Sequence, residues 1–142
     1  MLKAHASWRS YVQEKLENED LGDDAEGHYR KEMVLKRLEK IGKNAFCGCW
    51  SLVEIMLPSS MRIIEYGAFS GCWELKAVKF NSGLKRIYRH AFYMCLALIE
   101  AIFPSSLEEI GYDVFDGCQT LQRVELNCYR DKIDELFVFH KL

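Results

Sequence analysis

The chain has 142 residues, of which 49% are hydrophobic and 28% charged, and its net charge is −2. That is one domain's worth of chain with apolar residues enough for a core. The charge balance argues against a general nucleic-acid binder, which would be strongly basic, and no apolar run of about 18 residues is present to cross a membrane as a helix.

Residues 1–22 have the spacing of an amphipathic helix. Trp8, Tyr11, Val12 and Leu16 lie three to four apart, and Gly22 is a stop. The same stretch lacks the apolar segment of a secretory signal. An intracellular protein is therefore expected if residue 1 is the true start; an extracellular or cell-surface location is expected if the chain is a piece of something longer. Glu17, Glu19, Asp20, Asp23, Asp24 and Glu26 read as a solvated acidic turn. Asp23 or Asp24 caps a second helix reaching about Leu38, with Tyr29, Met33 and Val34 on one face. A second assignment stays open, because Glu32–Leu35 is also in register with the strands that follow. In both cases residues 1–37 are expected to act as an N-terminal cap, helical at least over 5–20.

From Leu38 the sequence repeats every 23 residues without insertion or deletion. Phe46, Phe69, Phe92 and Phe115 fill one slot, Cys49, Cys72, Cys95 and Cys118 another, and Leu52, Leu75, Leu98 and Leu121 a third. Four units result: 38–60, 61–83, 84–106 and 107–129. A period of about 20–29 residues marks a solenoid, whose units are each too small to bury their own apolar face and must stack. An end left uncovered would expose an apolar cross-section and open strand edges, hence the need for caps. Residues 130–142 break the period. Ile133, Leu136, Phe137 and His140 have helical spacing after Asp131, so a C-terminal helical cap is expected, although Phe137-Val138-Phe139 also reads as a strand.

Within each unit a pair of apolar residues three apart comes first (Leu38/Ile41, Met61/Ile64, Leu84/Ile87, Leu107/Ile110). Ala-Phe follows, or Val-Phe in the last unit, then two variable residues and Cys. The unit closes on L-x-x-[IVA]-x-[LF], as in Leu52–Leu57, with Pro58 and Pro104 ending two of these segments. Alternation over Ile55, Met56 and Leu57 turns Ile55 and Leu57 inward and Met56 outward. Equivalent segments should pair in parallel about 4.8 Å apart. The outward positions are then Glu54 and Met56, Ala77 and Lys79, Glu100 and Ile102, and Arg123 and Glu125.

The string L38-E-K-I-G-K-N-A-F-C-G-C-W-S-L-V-E-I-M-L-P-S-S-M61 resembles the BspA-like leucine-rich repeat, also called the TpLRR class. It returns as L107-E-E-I-G-Y-D-V-F-D-G-C-Q-T-L-Q-R-V-E-L. The resemblance covers about residues 38–126 and departs at Val114 for Ala, Asn81 for Pro and Ala101 for Ile. It implies an α/β fold of the short leucine-rich-repeat solenoid kind, with a concave parallel sheet. It also implies protein–protein contacts, often at microbial surfaces or with a host.

Chemistry-bearing patterns are few. There is no GxGxxG, no GxxxxGK[ST], no HExxH and no GxSxG. Cys47-Gly48-Cys49 lacks the spacing and the partners of a zinc site, and the Cys ladder reads as reduced, buried thiols. His5, His28, His90 and His140 sit at unrelated positions and read as surface or cap histidines. No enzyme activity, metal or cofactor is expected. The expected function is a protein-interaction module that takes a protein or peptide partner on its concave face through Glu54, Met56, Lys79, Glu100, Ile102, Arg123 and Glu125. A secreted or surface adhesion fragment is the alternative, and self-association stays open. The plainer reading of that face is a solvated sheet with cross-strand ion pairs. Two further slots carry candidate contacts: Trp50 with Trp73, and Tyr66, Arg89 and Tyr112, in which stacking one unit apart would set Arg89 between two tyrosines.

Overall fold

The computed structural model describes residues 38–127. The expected caps over 1–37 and 130–142 lie outside the described residues, as do Cys128, His5, His28 and His140. Between 38 and 127 there is no helix, only eight short strands joined by turns.

Each 23-residue unit forms one coil with two strands. The first strands are β1 (Lys40–Ile41), β3 (Ile63–Ile64), β5 (Arg86–Ile87) and β7 (Glu109–Ile110). The second strands are β2 (Glu54–Met56), β4 (Ala77–Lys79), β6 (Glu100–Phe103) and β8 (Arg123–Leu126). Pairing is parallel throughout, and the register follows the repeat: Ile41 lies against Ile64, Ile64 against Ile87, and Ile87 against Ile110.

The sequence pointed to a continuous sheet on the second strands, and the structure corrects this. The unbroken ladder is the four-stranded one on the first strands, in the order β1-β3-β5-β7. The second strands form two separate pairs, β2 with β4 and β6 with β8. Coil-to-coil hydrogen bonds continue up to the break, from Ala97 N to Trp73 O at 3.1 Å and from Ile99 N to Lys76 O at 3.4 Å. The step that opens is the one where Phe80 faces Phe103, their ring centroids 4.8 Å apart and tilted by 34°. The first and last coils have Leu57 and Leu126 in this slot.

The core runs along the stack. Phe46, Phe69, Phe92 and Phe115 form a column of near-parallel rings, with centroid separations of 5.1, 5.2 and 5.8 Å. Ile41, Met61, Ile64, Leu75, Leu84, Ile87 and Leu98 are buried around it. Burying each such side chain stabilises by about 1.5–3 kcal/mol, and no single coil holds enough of them to fold alone.

Between the two strands the chain makes a tight arc. Its backbone also pairs from coil to coil: Phe46 N donates to Ala68 O at 2.8 Å, and Gly48 N to Ser70 O at 2.8 Å. Two left-handed positions shape the arc. The first holds Asn44, Gly67, His90 and Asp113; the second holds Gly48, Gly71, Met94 and Gly117. Only the third coil places a bulky residue at the second position, Met94 at φ 57°. Its sulfur fills the space that the absent side chain of Gly117 leaves open.

The Cys ladder has a reason beyond packing. Each phenylalanine carbonyl of the column accepts the backbone N–H of the cysteine three residues on, as in Cys49 N to Phe46 O at 3.0 Å. Its second lone pair takes the thiol of the next coil: Cys72 Sγ donates to Phe46 O at 3.2 Å, Cys95 to Phe69 O at 3.2 Å, and Cys118 to Phe92 O at 3.1 Å. A small, apolar side chain that still donates satisfies a buried carbonyl here. Where the repeat replaces Pro by Asn81, the amide nitrogen ties down two carbonyls of the preceding turn, Ser59 O at 3.1 Å and Met61 O at 3.0 Å.

Candidate functional site

The second strands put their side chains where the alternation predicts. Ile55, Val78, Ala101 and Phe103 face the core, while Glu54, Met56, Lys79, Glu100, Ile102 and Arg123 face out. Glu125 is half-buried, because Arg123 folds over it with Nε 2.9 Å from Oε1. Met56 is 66% exposed and Ile102 38%. The parallel register lines these residues up in rows, Glu54 beside Ala77 and Met56 beside Lys79 in one pair, Glu100 beside Arg123 and Ile102 beside Glu125 in the other.

The carboxylates on this face are tied to cations within it. Lys79 Nζ lies 3.6 Å from Glu54, and Arg123 lies 3.6 Å from Glu100 and also pairs with Glu125. All are solvent-exposed pairs of the kind worth about 0–1 kcal/mol. They fix side-chain positions more than they stabilise the fold.

Alternation alone did not reveal a neighbouring column, three residues before Met56 in the repeat. Val53 is 45% exposed and Ile99 is 48% exposed, with Lys76 between them in the second coil. These residues precede the strands, where the period-2 rule does not apply, so sequence offered no facing for them. Backbone bonds from Lys76 N to Val53 O and from Ile99 N to Lys76 O stack them in a column ahead of the strands. The first and third coils each present two apolar side chains, Val53 with Met56 and Ile99 with Ile102. The second coil, between them, presents Lys76 and Lys79, and the fourth Gln122 and Glu125.

Trp50 and Trp73 are both about half exposed, on consecutive coils at the start of this face. No ring contact joins them among the described residues. The other aromatic slot departs from the expected sandwich. Arg89 lies over the Tyr112 ring at 4.5 Å and donates to its hydroxyl at 2.7 Å, but Tyr66 turns away to His90. The Tyr66 and His90 rings are 5.6 Å apart, His90 packs in turn on Tyr93 at 5.1 Å, and its Nε2 lies 3.7 Å from Asp113. His90 sits at φ 58°, the left-handed conformation this slot takes in each described coil, and what differs in the third coil is the imidazole ring it presents to Tyr66. His90 thus joins a surface aromatic ridge, a neighbourhood its isolated place in the sequence did not suggest.

Two thiols of the ladder, Cys72 and Cys95, are poor nucleophiles, whereas the hydrogen bond with Cys95 lowers that of Cys118. Burial pushes the Cys72 thiol up to about 12, and the hydrogen bond shared with Cys118, together with burial, pushes Cys95 up as well. Cys47 is exposed. Among the described residues no three His, Cys, Asp or Glu side chains converge to hold a metal ion, and no helix is long and apolar enough to cross a membrane.

Comparison with known proteins matches the family model for the BspA type leucine rich repeat region to residues 32–140, in six copies. That match runs past the four coils on both sides, into stretches that the sequence had assigned to caps. The pneumococcal vaccine antigen PcpA has a similar structure, with a TM-score of 0.61 and 26% identity over 65% of this chain and 23% of its own. A leucine-rich repeat protein from Bacteroides ovatus matches with a TM-score of 0.50 and 28% identity over 68% of this chain and 30% of its own. A leucine rich cell surface protein from Faecalibacterium prausnitzii shares the fold at 23% identity and a TM-score of 0.50, over 67% of this chain and 31% of its own. The chain therefore spans less than a third of the length of each of these proteins. A search of curated protein sequences returned no match.

Proposed function

The chain belongs to the BspA-type leucine-rich repeat family, and from that premise we propose that it captures a partner protein on the face built by its second strands. Repeat families of this kind supply binding scaffolds, and their members are generally not enzymes. The observation that carries the proposal is the exposure of Met56 and Ile102 on the outer side of the second strands, with Val53 and Ile99 exposed just ahead of them. Apolar side chains held this way, with charged residues interspersed, have the composition of a protein interface. The core side chains beneath them are fixed, so little conformational entropy is lost on binding. Glu54, Lys79, Glu100, Arg123 and Glu125 would form the polar surround.

The test is a double substitution, Met56→Asp with Lys79→Glu. Capture of a bound partner should be abolished while the circular-dichroism melt is unchanged, since both side chains are exposed. Unchanged capture would remove this face from consideration.

A second reading concerns location. The similarity to part of a vaccine antigen, and the small share of that protein covered, support an extracellular segment of a longer surface protein. The intracellular expectation has no support among the structural relatives. Antibody labelling of intact against permeabilised cells distinguishes the two.

A further inference from the structure

We propose that the partner presents an amphipathic α-helix lying along the stacking axis, with apolar residues at positions i and i+7 and a carboxylate at i+3 or i+4 that seats on Lys76. The proposal rests on the reading of the second-strand face as the binding surface.

Charge complementarity supplies the acidic residue. Glu54 is held by Lys79, and Glu100 and Glu125 by Arg123. Among the described residues Lys76 has no carboxylate partner, and Glu74, two residues earlier, makes no ion pair with it. The face therefore carries one uncompensated cation, and it lies between the two apolar rows: Val53 and Met56 on one side, Ile99 and Ile102 on the other.

Spacing selects the helix. Backbone bonds from Lys76 N to Val53 O at 2.8 Å and from Ile99 N to Lys76 O at 3.4 Å hold this column near the usual coil spacing of about 4.8 Å, so Val53 and Ile99 are about 9.6 Å apart with Lys76 midway. Residues i and i+7 of a helix are about 10.5 Å apart on one face, and i+3 or i+4 falls about 4.5–6 Å along it. An extended segment fits less well. Its same-face residues come at about 6.6 Å and 13 Å, out of step with both rows. Recognition would follow the helix-on-apolar-surface mode, with anchors at i and i+7.

The experiment uses the full chain and a phage-displayed library of 18-residue alanine-rich peptides. Leu is fixed at i and i+7, and acidic, basic and neutral residues vary at i+3 and i+4. Affinities of selected peptides are read by fluorescence anisotropy and their bound-state helicity by circular dichroism. Acidic residues should be enriched, and Lys76→Glu should weaken binding about tenfold, as loss of one partly desolvated charge pair does. A peptide with Lys in place of the acid should regain affinity for that variant. Absence of acidic enrichment, or an unchanged affinity in Lys76→Glu, overturns the proposal. Binding that is lost in Met56→Asp but comes equally from proline-interrupted peptides overturns the helix while keeping the face. Binding that survives both Met56→Asp and Ile102→Asp overturns the face itself.

Discussion

Replacing Phe92 by Ala tests the stacked core at its centre. Phe92 is fully buried, lies between Phe69 at 5.2 Å and Phe115 at 5.8 Å, and meets Phe80 edge-on at 5.8 Å. Truncating a buried phenylalanine costs about 3–5 kcal/mol. Aromatic pairs add about 0.5–1.5 kcal/mol each beyond area, and coils on both sides are held apart by backbone hydrogen bonds, so the cavity cannot collapse. The upper part of the range follows, about 4–5 kcal/mol, against a whole-domain stability of about 5–15 kcal/mol. Phe115→Ala is the internal comparison. That ring is partly exposed at the last described coil, so its removal should cost only about 2–3 kcal/mol. Guanidinium titration followed by circular dichroism reads both losses as shifts in midpoint at constant slope. A loss below about 2 kcal/mol for Phe92→Ala, or one no larger than that of Phe115→Ala, would refute the idea that the ring column carries the coil-to-coil energy.

Three further outcomes follow from the same geometry. Cys72 should resist alkylation in the native protein at pH 8 and react once unfolded, as peptide mapping would report. Its thiol is raised in the folded state, so it contributes stability that is complete below the unfolded value near 9 and is lost as pH climbs toward about 12. Alkaline denaturation curves should therefore steepen above pH 9, and less so in Cys72→Ala; an identical slope would contradict the assignment. Met94→Gly should raise the thermal midpoint, because a left-handed backbone costs a non-glycine residue about 1–2 kcal/mol, of which some is returned as lost packing over Gly117; a lower midpoint would mean the packing dominates. Amides of Ala77–Lys79 and Glu100–Phe103 that face the open step should exchange with deuterium faster than those of the unbroken first-strand ladder, and equal protection would rule out the break.

The structural matches also bear on scale. A chain covering less than a third of proteins with the same repeat presents a short arc of solenoid. The second-strand face spans the four described coils. Each coil contacts only its neighbours, so surface substitutions two or more coils apart are close to additive, whereas Met56 and Lys79, paired in register, couple.

The 23-residue spacing of Phe46, Phe69, Phe92 and Phe115 was sufficient by itself to define the solenoid, its parallel register and its core. A strict period forces equivalent residues to meet, whatever the details. The outward positions Met56, Lys79 and Ile102 were equally legible, because alternation in a strand has only two outcomes. Three features needed the folded chain. The exposure of Val53, Lys76 and Ile99 lies in residues ahead of the strands, where backbone direction is set by the turn and not by a periodicity. The pairing of Tyr66 with His90 in place of Arg89 is a contact between coils, which residue type alone does not dictate. The break between β4 and β6 falls at a step where the 23-residue period is unaltered, so the repeat does not announce it. Repetition is a property of the chain and can be read along it. Facing, partner choice and strand pairing arise between coils, and they are decided only when the coils are stacked.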